Sequence, residues 1–317
     1  MTFISGSITD ANPGPALYAL IATPALALGW TLDDTVVIGS NTHKVLKSAA
    51  AGNTYGLDWY LDINYPTTGI TGGMRFAPFE GYTAASDVGL RGPYSLSNTT
   101  IDATTYSRYG ATTSALETNW ANAAANTGLS ATLSTSAFNY WVSITRDRII
   151  VMTSLQTTSV FYAGFFTPTS QHTSHAGAAL FPLVMCKVVV NTNAATANGA
   201  TATAAFTRIP KATSVNWQTS GLVGSEMTAI GWAFSGVVGT GASEFNGLTR
   251  IAPLPVVMGA ATITTSATAL GHVGYLDGLA TGFVVGTAVR GDTVTVGSDT
   301  WYSTTVSSNT ALFMAGV

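Results

Sequence analysis

FNYWVSITRDRIIVMTSLQTTSVFYAGFF, at residues 138–166, is the stretch that decides the fold. Apolar and polar side chains alternate through residues 142–145 (VSIT), as expected for a strand with one buried face. Polar residues at 146–148 (RDR) and 156–158 (QTT) separate the apolar runs and predict turns. Three strands joined by two short turns predict an antiparallel meander.

The apolar segment ALYALIATPALALGW, at residues 16–30, predicts a helix as the first ordered element. Leu17, Leu20 and Ile21 have the spacing of one helical face. Pro24 is expected to end or kink this helix. A second helix is expected within residues 111–128, where an Ala-rich run ends at a glycine.

Membrane insertion and export are not expected from the N-terminal segment. Residues 16–30 are shorter than the roughly 20 apolar residues that a spanning helix needs. The preceding MTFISGSITD contains no Lys or Arg, whereas a secretory signal has a basic start. We therefore expect a soluble protein made in the cytosol without an export signal, and no membrane partner.

A phrase near the start of the chain is repeated near its end. DTVVIGSNT (34–42) and DTVTVGSDT (292–300) are identical at six of nine positions. Each copy predicts a hairpin with a Gly-Ser turn, although such Val/Thr hairpins also recur by chance. The run VVI predicts a first strand buried on both faces, whereas Thr293 and Thr295 predict a half-exposed strand in the second copy. The first copy should therefore be the more buried.

Carboxylates and histidines form no convincing catalytic or metal site. Asp58 and Asp62 lie four residues apart on a predicted strand, which separates them by about 13 Å. Glycosidase carboxylates lie about 5–9.5 Å apart, so both are interpreted as a solvated strand face. His43 is interpreted as isolated. His172 and His175 could supply two metal ligands, but no Cys or carboxylate follows at ligand spacing.

Enzyme signatures are also missing from the sequence. VGSEM (223–227) has Glu226 where a nucleophile elbow needs glycine, and neither a P-loop nor a dinucleotide-binding glycine motif is present. We therefore predict no enzyme and no cofactor. One hypothesis for an enzyme remains, in which folding brings together the carboxylates of a hydrolase.

The composition favours a protein covered by neighbouring subunits. Charged residues make up only 9% of the chain, and the net charge is −3. Thr, Ser, Asn and Gly must solubilise the surface, or neighbouring subunits must cover it, and we favour a mixture of both. Without a Lys/Arg run, no nucleic-acid partner is expected. The single cysteine, Cys186, excludes an internal disulfide and is interpreted as a buried thiol.

The predicted fold is mainly β with few helices (α+β). We expect an antiparallel-sheet domain with a covering N-terminal helix over residues 1–190, and a connecting or irregular segment over 191–249. A small hairpin or barrel-like β module is expected over 250–317. Within these, NTNAATANGATATAA (191–205) lacks a period and GYLDGLATG (274–282) is typical of a loop.

Several phrases resemble structural proteins of tailed bacteriophage virions. They are HKVLKSAAAGNTYGLDWYLDI, the hairpin YWVSITRDRIIV followed by VFYAGFF, and RIAPLPVV with the later GDTVTVGSDTWY. The resemblance covers about half of the chain. It implies a subunit of the head–tail neck, the tail or the baseplate, located in the virion and acting by symmetric assembly with copies of itself and with other virion proteins. It implies no active site.

Six residues are candidates for contacts with neighbouring subunits, because aromatic and arginine side chains are common interface anchors. They are Trp141, Arg146, Asp147, Arg148, Trp301 and Tyr302. For the charged cluster at 146–148, a local ion-paired turn and a salt bridge between subunits both stay open. The alternative function is a tail-fibre or decoration adhesin that binds a glycan through its C-terminal module, with Trp301 and Tyr302 as stacking platforms.

Overall fold

The computed structural model describes residues 1–79, 81–84, 92–94, 130–155, 159–168, 183–190, 200–207, 227–228, 230–231, 250–259, 269–283, 290–307 and 310–316. Among these residues, antiparallel strands predominate and one α-helix is present, so the mainly β, α+β fold class is confirmed. The helix expected within 111–128 lies outside the described residues.

A seven-stranded sheet forms the middle of the structure and contains the predicted meander. With strands numbered along the chain, its order is β1 (Thr2–Ile8), β9 (Phe138–Ile144), β10 (Arg148–Thr153), β11 (Ser159–Phe165), β13 (Leu183–Val190), β14 (Ala200–Thr207) and β16 (Ile230–Gly231). Strands β9, β10 and β11 are consecutive neighbours with antiparallel register. The three-stranded meander predicted for residues 138–166 is therefore confirmed.

A second, N-terminal sheet has five strands and lies beside the helix. Its order is β2 (Thr31–Ile38), β3 (Asn41–Ser48), β4 (Trp59–Pro66), β5 (Met74–Phe79) and β8 (Ser130–Ala131). Helix α1 (Pro13–Ala27) precedes it, and the short strands β6 (Gly81–Thr83) and β7 (Gly92–Tyr94) pair with each other.

The third sheet is built mainly from the C-terminal part of the chain. Its order is β15 (Met227–Thr228), β17 (Arg250–Gly259), β18 (Ala269–Phe283), β21 (Thr310–Ala315), β20 (Asp299–Ser307) and β19 (Thr293–Val296), and β12 (Thr167–Pro168) pairs with β18. A β region after residue 250 was expected, but its sheet also recruits β12 and β15 from earlier in the chain. The domain boundaries at 190 and 249 stay a prediction.

The middle sheet is covered on both faces, and this places the core. One face packs α1 and the N-terminal sheet into a single apolar cluster, in which Leu17, Trp59 and Val142 are fully buried. On the other face, Phe3 of β1 stacks on Tyr302 of β20 with ring centroids 4.0 Å apart. Burial of apolar side chains on both faces is the main stabilising contribution to this layered arrangement.

Two predictions about the N-terminal segment fail: the helix is not the first element, and it does not end at Pro24. A kink at Pro24 stays a prediction. The first element is β1, which pairs with the distant β9 through residues separated by more than a hundred positions, and local periodicity carries no sign of that pairing. Helix α1 also continues through Pro24, whose carbonyl oxygen accepts a hydrogen bond from Leu28 N at 3.0 Å. Burial of Ile21 and Ala25 on either side of Pro24 favours the continuous helix despite the missing N–H.

Two segments predicted to be irregular contain strands. Residues 274–282 belong to β18. Position 274 requires glycine, because a Cβ would come within 2.3 Å of the Thr167 carbonyl oxygen. Residues 200–205 belong to β14 and are all Ala or Thr, so this part of the strand has no large apolar side chain to mark it. Loop-like composition therefore reflects close backbone approach and small side chains in these two strands.

The repeated phrase forms equivalent hairpins, with one error in the predicted burial. Ile38 pairs with Asn41, Val296 pairs with Asp299, and the turn glycines have φ values of 62° at Gly39 and 63° at Gly297. The first strand is not buried on both faces, because β2 is the edge of its sheet and Val37 is 59% exposed. The first copy is still the more buried, through its returning strand β3.

Candidate interaction surfaces

Arg146 is half-buried and makes its contacts within the chain. Its Nε donates a hydrogen bond to the Leu28 carbonyl oxygen at the end of α1. The guanidinium lies against Gly29 and Gly52, where an added Cβ would come within 1.9 Å and 1.1 Å of its nitrogens. The Arg146 carbonyl oxygen accepts a bond from Trp59 Nε1 at 2.9 Å. Arg146 therefore joins α1 to the N-terminal sheet.

Asp147 also makes contacts within the chain. Its two carboxylate oxygens accept bonds from the backbone N–H and the hydroxyl of Thr54 at 2.8 Å and 2.6 Å. Its carbonyl oxygen accepts a bond from Phe165 N at 2.8 Å. These bonds hold the β9–β10 turn against the loop after β3.

Arg148 is the buried member of the charged cluster. Its side chain is 2% exposed, and its Nε donates to Asp277 Oδ2 at 2.7 Å. Its Nη1 donates to Ser143 Oγ at 3.1 Å. Arg148 thus forms an ion pair within the chain, with a distant partner that the sequence did not indicate. A contact of the charged cluster with another subunit stays a prediction.

The three aromatic candidates lie where the middle and C-terminal sheets meet or on the C-terminal sheet itself. Half-buried Trp141 lies close to Gly291, where a Cβ would be 3.5 Å from its ring. Tyr302 has one ring face against Phe3, so that face is occupied. Trp301 is half-buried and pairs across the strands with Val294 and Ala315. Subunit contacts at these aromatic residues stay a prediction.

A buried polar cluster was missed by the sequence analysis. His43 Nδ1 lies 2.8 Å from Asp62 Oδ2, and the two side chains are 1% and 0% exposed. Asn64 Nδ2 donates to the same oxygen at 3.3 Å. Asp62 therefore does not belong to a solvated face, and His43 is not isolated. Because His43 pairs with Asn64 across β3 and β4, a correct strand register would have placed these residues on one face.

Asp58 and Lys47 form the exposed counterpart of this cluster. Asp58 lies just before β4, is 39% exposed and is 2.7 Å from Lys47 Nζ, so it reaches solvent as expected although it is not in the strand. Partial burial acts to raise the pKa of Asp58, but the bonds from Lys47 and from Ala50 N–H outweigh it and lower the pKa. Lys47 and Asp58 therefore form a partly exposed ion pair at the surface of the N-terminal sheet.

Two of the sheet edges expose apolar side chains. Strand β2 exposes Leu32 and Val37, and β19 exposes Val296, which is 45% exposed. In the described part of the chain, β2 and β19 each have a neighbour on one side only. An edge strand presents unpaired backbone N–H and C=O groups that another strand can pair with. These edges are the candidate interaction surfaces.

Metal and membrane sites find no support in the described part of the chain. Within it, no group of three His, Cys, Asp or Glu side chains is placed to hold a metal ion. Its one α-helix is not long and apolar enough to cross a membrane. His172, His175 and residues 223–226 of the VGSEM segment lie outside the described residues.

Comparison of the sequence with protein-family models finds no match, and comparison with curated proteins finds none either.

Proposed function

We propose that this protein is a structural component of a bacteriophage virion that assembles symmetrically with neighbouring copies of itself. The observation that carries the proposal is the exposure of Val296 on β19, an edge strand of the C-terminal sheet. Large apolar side chains beside unpaired strand edges favour strand-to-strand contacts between subunits. The resemblance of the strand-and-turn phrases to virion structural proteins supports the same role.

The use of charge in the molecule supports this proposal as well. Only 9% of residues are charged. Little charge is therefore available to keep copies apart, whereas a protein that must stay monomeric usually carries a more highly charged surface. Other virion proteins are the expected further partners.

Concentration-dependent mass tests the proposal directly. Sedimentation velocity of the full chain over a wide concentration range should show a discrete oligomer that grows in population with concentration. A chain that remains a monomer throughout would contradict self-assembly as its function.

The alternative is an adhesin that binds a glycan through the C-terminal sheet. Half-buried Trp301 favours it, because one side of an indole can stack on a sugar ring. Deleting the C-terminal sheet would be a poor test, because this sheet covers the face of the middle sheet on which Ile150 and Met152 are buried. The deletion would expose these side chains to water. Trp301→Ala is better. Loss of adsorption to cells with unchanged oligomer formation would favour the adhesin.

A further inference from the structure

The two repeated hairpins differ in whether their outer edge can accept another strand. Both have a two-residue Gly-Ser turn, and both place their first strand at the edge of the described sheet. In such hairpins the two residues that flank the turn exchange backbone hydrogen bonds. Along the strand, residues bonded to the partner strand alternate with residues whose backbone N–H and C=O groups point away from it. Thr35 and Val37 of β2, and the equivalent Thr293 and Thr295 of β19, therefore direct their backbone groups outward.

The edge of β2 is blocked by its own side chains. The pairing with β3 shifts between Leu32 and Asp34, which bulges the strand at Asp33. Asp34 Oδ1 accepts the Thr35 backbone N–H at 2.7 Å, and Asp34 Oδ2 accepts the Tyr82 hydroxyl at 2.7 Å. A bulge and a carboxylate that occupies an edge donor are both features that prevent pairing with another chain.

Between Thr293 and Val296 the edge of β19 has neither obstacle, and its pairing with β20 runs there without a shift. Before this stretch, Gly291 N donates to Ser303 O and Ser303 N donates to Asp292 O, both at 2.7 Å, so a bulge at Gly291 and Asp292 ends the regular pairing just upstream of Thr293. The same bonds make Thr293 and Thr295 the outward positions. Both threonines are exposed. The exposed part of β1, another edge, is only Ser5-Gly6-Ser7 and offers no large apolar side chain.

We propose that β19 pairs antiparallel with β19 of a second copy of this chain, about a two-fold axis at Val294. In this register Thr293 of each copy faces Thr295 of the other, and each such pair exchanges both N–H···O bonds. The two Val294 side chains meet at the axis. Because the contact is isologous, one short strand supplies both halves of the interface.

The charges of the strand are compatible with pairing to itself. Asp292 of one copy faces Val296 of the other, so no two carboxylates are directly opposed. The exposed Val296 is partly covered in the same step. A strand this short makes a weak contact by itself, and many copies in one assembly would make it effective. The inference rests on the proposed assembly function and names one of its surfaces.

Paired charge variants test this contact in the full chain. Thr293→Lys/Thr295→Lys and Thr293→Asp/Thr295→Asp each place like charges opposite one another across the axis. Each variant alone should dissociate at least about tenfold more readily than the wild type in sedimentation experiments. Mixing the two variants should restore association, which loss of folding in either variant could not do.

The first hairpin supplies the matched control. Thr35→Lys/Val37→Lys and Thr35→Asp/Val37→Asp change the equivalent positions of the blocked edge, and association should stay at the wild-type value. If the β19 variants associate as strongly as the wild type, the β19 contact is overturned, whereas the proposal of self-assembly stands. A wild-type chain that is always monomeric overturns both proposals.

A cysteine variant gives a second readout that reports the register. In a background where Cys186 is replaced by Ala, Val294→Cys should form a disulfide-linked dimer under mild oxidation. Opposed residues of a non-hydrogen-bonded pair lie about 4.5 Å apart between Cα atoms, within the range of about 4.4–6.8 Å that a disulfide needs. Val36→Cys, its equivalent in β2, should not cross-link. Equal cross-linking of both variants would overturn the two-fold register.

Discussion

The guanidinium of Arg148 lies 2.7 Å from the carboxylate of Asp277, although Arg148 is 2% exposed and Asp277 is 54% exposed. A buried cation on the middle sheet is thus neutralised by a carboxylate on the C-terminal sheet that still reaches water. The pair ties the two sheets together. Leaving a buried charge without its partner costs more than the intact pair contributes, so the arrangement is sensitive to loss of the carboxylate.

Replacing Asp277 should therefore destabilise the fold. Asp277→Ala leaves the Arg148 guanidinium buried, and we expect the free energy of unfolding to fall by about 2 kcal/mol, less than for a fully buried pair because water screens this carboxylate. Chemical denaturation measures the change. Asp299→Ala removes the same charge from an exposed site of the same sheet, and its effect should stay within about 0.5 kcal/mol. If the two substitutions lowered the free energy of unfolding equally, the Arg148–Asp277 ion pair would not be what holds the two sheets together.

The backbone beside this ion pair should tolerate no side chain. Gly278 has φ 71°, and a Cβ there would lie 2.1 Å from the Arg148 guanidinium. Gly278→Ala should lower the free energy of unfolding by about 3 kcal/mol, through backbone strain and displacement of Arg148. Gly39→Ala has a similar φ of 62° with no atom within 4 Å and should cost about 1 kcal/mol. The difference between the two changes in the free energy of unfolding measures the cost of placing a Cβ against the Arg148 guanidinium.

The buried His43–Asp62 pair should be strongly coupled. A double-mutant cycle with His43→Ala and Asp62→Ala should give a coupling energy of about 1–3 kcal/mol in denaturation experiments, because either single change leaves a buried polar group without this bond. The exposed Lys47–Asp58 pair has a similar 2.7 Å separation and should give less than about 1 kcal/mol. Similar coupling energies for both pairs would contradict the burial of Asp62.

Tyr18 should ionise only in strongly alkaline solution. Burial, aided by the nearby Tyr65, raises the pKa of Tyr18 to about 12 from 10.0. The raised pKa stabilises the folded state fully below pH 10, and that contribution is lost as the pH rises from 10 towards about 12. The phenolate absorbance of the wild type minus that of Tyr18→Phe isolates this group among the other tyrosines. A difference titration centred near pH 10 would contradict its burial.

Local patterns predicted the elements whose residues are close in sequence. The alternation at 142–145 and the polar breaks at 146–148 and 156–158 predicted the meander. The Gly-Ser dipeptides predicted two hairpins, because only a few residue types adopt the left-handed backbone that such turns need. The predicted burial failed for β2, since the apolar run VVI carries no information on whether a strand is central or at an edge.

The candidate surfaces were only partly predictable for the same reason. The sequence singled out Arg148 as a charged residue worth testing, but its partner Asp277 lies 129 positions later and nothing local connects them. His43 and Asp62 are brought together by the register of β3 with β4. The blocked edge of β2 depends on Asp34 reaching both its neighbour Thr35 and the distant Tyr82.

By itself, the sequence determined the β-rich class, the hairpin turns and the low charge that favours assembly. These follow from side-chain period, glycine conformation and composition, which are local or additive properties. The tertiary structure alone decided which strands became edges, which charges were buried and which of two nearly identical hairpins kept an open edge. Those outcomes depend on pairing between distant segments, where burial of apolar area outweighs local preference.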